Sequence, residues 1–116
     1  MNTMIGVDIE QIIPIELTDY KEQLTQNEWE HIHQANDRLR TFYEIWTRKE
    51  ALLKALGRGI DMDFDTLDVC ADTVSYDGKS YWSYPITIAD GYVVHIATSA
   101  PFDSGSISSE RLSDLL

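Results

Sequence analysis

Trp46-Thr47-Arg48-Lys49-Glu50-Ala51-Leu52-Leu53-Lys54-Ala55-Leu56-Gly57-Arg58-Gly59-Ile60 is built mostly from good helix formers, and Gly57 and Gly59 close it as helices commonly close. At about 100° per residue, Phe42, Ile45, Trp46, Leu52, Leu53 and Leu56 share one apolar arc. Lys49 falls in the middle of that arc, where a simple amphipathic helix would place a hydrophobe. Glu50 and Lys54, four residues apart, sit together on its edge. A lysine at the centre of a buried stripe is costly unless its ammonium finds an anion or reaches water along its stem. Taken alone, the stretch also reads as an ordinary helix with a snorkelling lysine and a surface ion pair.

Upstream, Asn36-Asp37 is a break and cap, which predicts a helix over Arg38–Leu56. Thr25-Gln26-Asn27-Glu28 matches a capping box and predicts a second helix from there to about Ala35, with Trp29 and Ile32 on its apolar side. His31 and His33, two apart, point to different sides of that helix and make poor metal partners. Thr18–Leu24 reads as a short helical piece, and Pro14 ends a β-rich run over Met4–Ile9. Alternation sets Ile5, Val7 and Ile9 on one face of that strand and Gly6, Asp8 and Glu10 on the other. Two carboxylates at i and i+2 project side by side with Cα atoms roughly 6.5 Å apart. That spacing suits two arms of a hard-cation site, and Gly6 would leave room for a ligand beside them. A plain polar outer face is the competing reading.

Beyond Gly59 the period changes to two. Phe64–Ala71, Val74–Tyr76, Lys79–Thr87 and Gly91–Thr98 read as strands, with Asp77-Gly78 and Asp90-Gly91 as hairpin turns. His95 lies inside the last of them with no local ligand partner, and reads as a satisfied strand histidine. Residues 102–116 form a Ser- and Asp-rich tail, loosely attached or docking a short helix at Leu112–Leu116. The whole, residues 1–116, is expected to be a single domain of the α+β class, a small, mainly antiparallel sheet packed on a long central helix.

Net charge is −11, which argues against a nucleic-acid or anionic-membrane surface. Yet six of the nine basic residues, Arg38, Arg40, Arg48, Lys49, Lys54 and Arg58, lie in one stretch, which suits a small polyanionic ligand. The single cysteine, Cys70, precludes an internal disulfide and fits a reducing compartment. No apolar run reaches membrane length and the N-terminus lacks a signal-peptide pattern, so a cytoplasmic protein is expected.

Gly6-Val7-Asp8-Ile9-Glu10, followed some forty residues later by Trp46-x-x-Lys49-Glu50-Ala51-x-x-Lys54-Ala55-x-Gly57-x-Gly59, resembles the signature of the 4'-phosphopantetheinyl transferases. The tryptophan and the Asp-Ile-Glu triplet look like the larger branch, which activates nonribosomal peptide and polyketide synthases, of the type named for activating surfactin synthetase. The other branch comprises the small holo-acyl-carrier-protein synthases. The resemblance covers about Met4–Leu67, and more loosely Gly91–Ala100.

It implies a half-unit of the transferase fold and transfer of the phosphopantetheine arm of coenzyme A to a serine of an apo acyl or peptidyl carrier protein. It implies that Asp8, Glu10 and Glu50 hold Mg²⁺ (or Mn²⁺), that Lys49 and Lys54 meet the phosphates and the reacting centre, and that Glu28 corresponds to a carboxylate proposed as base for the carrier serine. On this view the anion that justifies Lys49 is the substrate, while the capping box is the competing account of Glu28. Members of the larger branch are two similar halves with one site between them, and this chain resembles the second half. The Ser-His element of the first half has no counterpart here. The expected assembly is a homodimer or homotrimer, or a pairing with a separate half-unit, through the face of Asp8, Glu10 and Glu50, because a lone half would expose part of the Trp46–Leu53 stripe. A non-catalytic half that binds coenzyme A, metal or a partner half is the alternative.

Overall fold

In a computed structural model of the chain, residues 3–57 and 65–101 are described. Strand β1 (Ile5–Gln11) is followed by a 3-10 segment, Leu17–Gln23, then helix α1 (Gln26–Gln34) and helix α2 (Arg38–Leu56). Strands β2 (Thr73–Tyr76), β3 (Lys79–Ile86) and β4 (Tyr92–Thr98) complete a four-stranded antiparallel sheet in the order β1-β4-β3-β2. This is the α+β architecture expected from the periodicities.

The helix ends follow from their residues. Thr25 and Glu28 form the reciprocal capping box, Thr25 Oγ1 accepting from Glu28 N–H and a Glu28 carboxylate oxygen accepting from Thr25 N–H. Asp37 caps α2 through Arg40 N–H, and Gly57, at φ 69°, closes it by donating to the carbonyls of Leu53 and Lys54. Gly59 and the tail helix lie outside the described residues. Asp77-Gly78 turns the β2–β3 hairpin with both residues at positive φ, as a two-residue hairpin loop requires. The β3–β4 connection is longer than an Asp90-Gly91 pair, since β3 stops at Ile86 and β4 begins at Tyr92.

Helix α2 lies across the sheet, and its buried positions Phe42, Ile45, Ala51, Leu52, Leu53 and Ala55 form the main core with Ile32, Leu67, Val69, Val93 and Ala97. A smaller cluster, Val7, Val94 and Ile96, sits apart from it. Two expectations need correction here. The stripe expected to be partly exposed is spent internally, because Leu52 and Leu53 are buried and Trp46 is half-buried against Tyr20 and Phe42. Gly6 does not make room for a ligand, because a side chain there would collide with the Ala51 carbonyl oxygen and the Ala55 nitrogen of α2. The strand face carrying Gly6 and Asp8 is therefore the inner one.

The strand expected over Phe64–Ala71 also differs. Phe64 lies outside the described residues, and residues 65–71 form turns and irregular backbone. Their polar groups are taken by side chains. The Leu67 carbonyl accepts from Lys49 Nζ, Val69 N–H donates to Glu28 Oε2, and Cys70 N–H donates to Asp68 Oδ1.

Candidate active site

Close packing at Gly6 brings β1 hard against α2, and this positions the polar groups that follow in each element. Asp8, one pleat beyond Gly6, is 6% exposed. Lys54, on α2, donates from Nζ to Asp8 Oδ1 at 2.9 Å and to the Val7 carbonyl at 3.1 Å. Asp8 Oδ2 is buried with no hydrogen-bond partner. Glu10 continues along β1 and Glu50 stands one helical turn before Lys54, both half-buried.

The three carboxyl groups influence one another. Burial raises the proton affinity of Asp8 above the ordinary carboxylate range, against the pull of Lys54. Glu10 is raised by burial and then by repulsion from Asp8 and Glu50, and Glu50 by burial and then by Asp8. Carboxylates crowded in this way favour a shared proton or a cation. The donor set is all oxygen and Asp8 Oδ2 is buried without a donor, so the chemistry of these residues suits a hard divalent ion. As the side chains stand, no group of three or more His, Cys, Asp or Glu among the described residues is gathered tightly enough to hold one. A hollow of about 230 Å³ adjoins Glu10, walled by Ile13, Tyr20, Phe42, Tyr43 and Trp46.

Lys49 and Glu28 are placed elsewhere, in a closed pair. Both side chains are 0% exposed, with Lys49 Nζ 2.6 Å from Glu28 Oε1 and 2.7 Å from the Leu67 carbonyl. Glu28 also takes N–H groups from Thr25 and Val69. Burial lowers the proton affinity of Lys49, against the opposing pull of Glu28. The resemblance gave the substrate as the anion of Lys49; in this structure its ammonium donates to an internal carboxylate and a backbone carbonyl. One carboxylate thus ties the start of α1, the middle of α2 and the 67–69 segment together.

A second buried network was not legible in the sequence. His95, opposite Asp8 in the β1–β4 register, contacts Thr47 Oγ1 through Nδ1 at 2.6 Å, and Arg48 Nε donates to its Nε2 at 3.3 Å. Thr47 Oγ1 in turn donates to the Tyr43 carbonyl at 2.8 Å. Burial and then the Arg48 charge push His95 down to about 3, so the ring is neutral at physiological pH, with its proton on Nδ1. His95 is a satisfied strand histidine, as expected. A single histidine in a strand and a threonine inside a helix carry no sequence signal that they meet.

Residues 4–97 match the sequence model of the 4'-phosphopantetheinyl transferase superfamily. The chain is 34% identical over 61 residues to the 4'-phosphopantetheinyl transferase gsp of Aneurinibacillus migulanus, covering 51% of this chain and 26% of that protein. It is 34% identical over 70 residues to the 4'-phosphopantetheinyl transferase ffp of Bacillus subtilis, covering 56% and 30%. To the L-aminoadipate-semialdehyde dehydrogenase-phosphopantetheinyl transferase of Rattus norvegicus it is 32% identical over 74 residues, covering 61% and 24%. The chain thus spans less than a third of the length of these relatives. In structure it resembles the holo-[acyl-carrier-protein] synthase of Thermotoga maritima, with a TM-score of 0.59 at 17% identity, over 81% of this chain and 61% of that one. That likeness establishes a shared fold. With the family match extending over most of the chain, this α+β unit belongs to the 4'-phosphopantetheinyl transferase superfamily.

Proposed function

We propose that the chain is the metal- and phosphate-binding half of an enzyme that transfers the 4'-phosphopantetheine arm of coenzyme A to a serine of an apo acyl or peptidyl carrier protein. The convergence of Asp8, Glu10, Glu50 and Lys54 where β1 meets α2 is the observation that supports it most. Asp8, Glu10 and Glu50 would hold one divalent cation, Mg²⁺ or Mn²⁺, which neutralises charge on the pyrophosphate. Lys54, half-exposed, supplies a further positive charge for a phosphate oxygen. In the reaction the serine oxygen bonds to the phosphorus bearing the pantetheine arm, the phosphoanhydride bond breaks, and adenosine 3',5'-bisphosphate leaves. The serine proton needs an acceptor open to solvent. Glu28, enclosed and bonded through both oxygens, is poorly placed for that task, whereas Glu50 is half-exposed. We assign the base to Glu50 and give Glu28 and Lys49 the work of holding α2 in place.

The short span relative to the relatives favours a second reading, a half-unit that binds coenzyme A or metal and needs another half for turnover. Mass spectrometry of apo carrier proteins incubated with the chain, coenzyme A and Mg²⁺ separates the two. Addition of phosphopantetheine, abolished by Asp8→Asn, is the expected result. Binding of coenzyme A without any such addition across several carriers would overturn the enzyme reading for the isolated chain.

A further inference from the structure

Lys54 is held more firmly than a lysine waiting for a phosphate needs to be. Half of its side chain faces solvent, yet its ammonium turns inward and donates to Asp8 Oδ1 and the Val7 carbonyl. It satisfies only one oxygen of Asp8, leaving Oδ2 buried without a partner. Glu10 and Glu50 lie close enough for their charges to act on Asp8 and on each other. Three carboxylates and one ammonium leave an excess of about two negative charges when all are ionised, which a divalent cation would cancel.

We propose that the Lys54 ammonium is a stand-in cation on Asp8, displaced when a divalent ion enters, and that this displacement frees Lys54 to reach the phosphates of the substrate. The inference rests on the reading of Asp8, Glu10 and Glu50 as cation ligands. Its physical basis is the competition of two cations for one carboxylate, on an element that need not move. Only the four-carbon stem of Lys54 has to swing, and its exposed flank leaves the path open. Lys54 then couples the two ligands in order: the metal enters first and the phosphate-binding charge is delivered second.

The exchange gives Lys54 effects of opposite sign on the two ligands. With no coenzyme A present, Lys54→Met should bind Mn²⁺ about three- to tenfold tighter than the unmodified chain, because the competing ion pair is gone. The same variant should bind coenzyme A more weakly. Mn²⁺ titration followed by electron paramagnetic resonance measures the first effect, with Asp8→Asn as the control for weak binding elsewhere on an acidic chain. Nitrogen-detected NMR of the Lys54 ammonium supplies a readout independent of affinity. Its hydrogen-bonded signal should be present without metal and vanish or shift on saturation with Mg²⁺.

If Asp8→Asn abolishes Mn²⁺ binding but Lys54→Met does not tighten it, or the ammonium signal persists unshifted at saturating Mg²⁺, the exchange is wrong and the cation site stands. If the unmodified chain binds no Mn²⁺, or Asp8→Asn binds as well as it does, the cation site itself is wrong and the exchange falls with it.

Discussion

Lys49 and Lys54, five residues apart on one helix, meet opposite fates. Lys54 lies at an edge with half its side chain in solvent, whereas Lys49 points into the core and is neutralised by Glu28. The sequence pattern showed that Lys49 needed an anion but not which one, since Glu28 is twenty-one residues away and already explained by its cap. The missing information was the angle between α1 and α2, which no local pattern encodes. The pair makes a sharp prediction. Glu28→Gln or Lys49→Met alone strands a buried charge, so each should cost about 3–5 kcal/mol in urea unfolding. The double variant should recover much of that loss. If Lys49→Met alone is as stable as the unmodified chain and Lys49 is needed for turnover, the ammonium serves the substrate and not the fold.

At the scale of elements, the helices and hairpin strands were readable because their signals are local: capping residues, a closing glycine and period-two alternation. Residues 65–71 carried the same alternation without forming a strand, because distant side chains, Lys49 and Glu28, take the Leu67 carbonyl and the Val69 N–H. The candidate site was half legible. Asp8 and Glu10 were readable as neighbours on one strand, and Glu50 and Lys54 as neighbours on one helix, but the two pairs meet only because Gly6 lets β1 touch the α2 backbone. Gly6→Ala should therefore act on fold and site together. Forcing a methyl group against the Ala51 carbonyl and Ala55 nitrogen should cost about 1–3 kcal/mol or more. It should also weaken Mn²⁺ binding by separating Asp8 from Glu50, although neither ligand is changed. Unfolding and Mn²⁺ titration of the same variant check both, and an unchanged metal affinity would show that the close approach does not build the site.

The molecule as a whole is strongly acidic, and its candidate site lies where β1 meets α2. β1, which carries Asp8 and Glu10, is an edge strand paired only with β4 among the described residues, and Ile5 and Ile13 beside it are exposed, Ile13 at 49%. No described helix is long and apolar enough to cross a membrane. An edge left unpaired among the described residues, with apolar flanks, favours a partner, while a net charge of −11 opposes a second copy of the same chain. The buried Leu52 and Leu53 remove much of the apolar drive expected from the sequence, so the balance is electrostatic. Self-association through the face of Asp8, Glu10 and Glu50 should be weak at low ionic strength. It should strengthen as salt rises from about 0.05 to 0.5 M and the Debye length shrinks well below the size of the domain. A half-unit carrying positive charge would show the reverse, binding tightly at low salt and loosening as salt is added. Sedimentation velocity across that range, on the chain alone and with such a half-unit added, tests both directions. A chain that stays monomeric at every salt concentration, with binding to a basic half that declines with salt, would overturn the homo-oligomer and assign the open edge to a different partner.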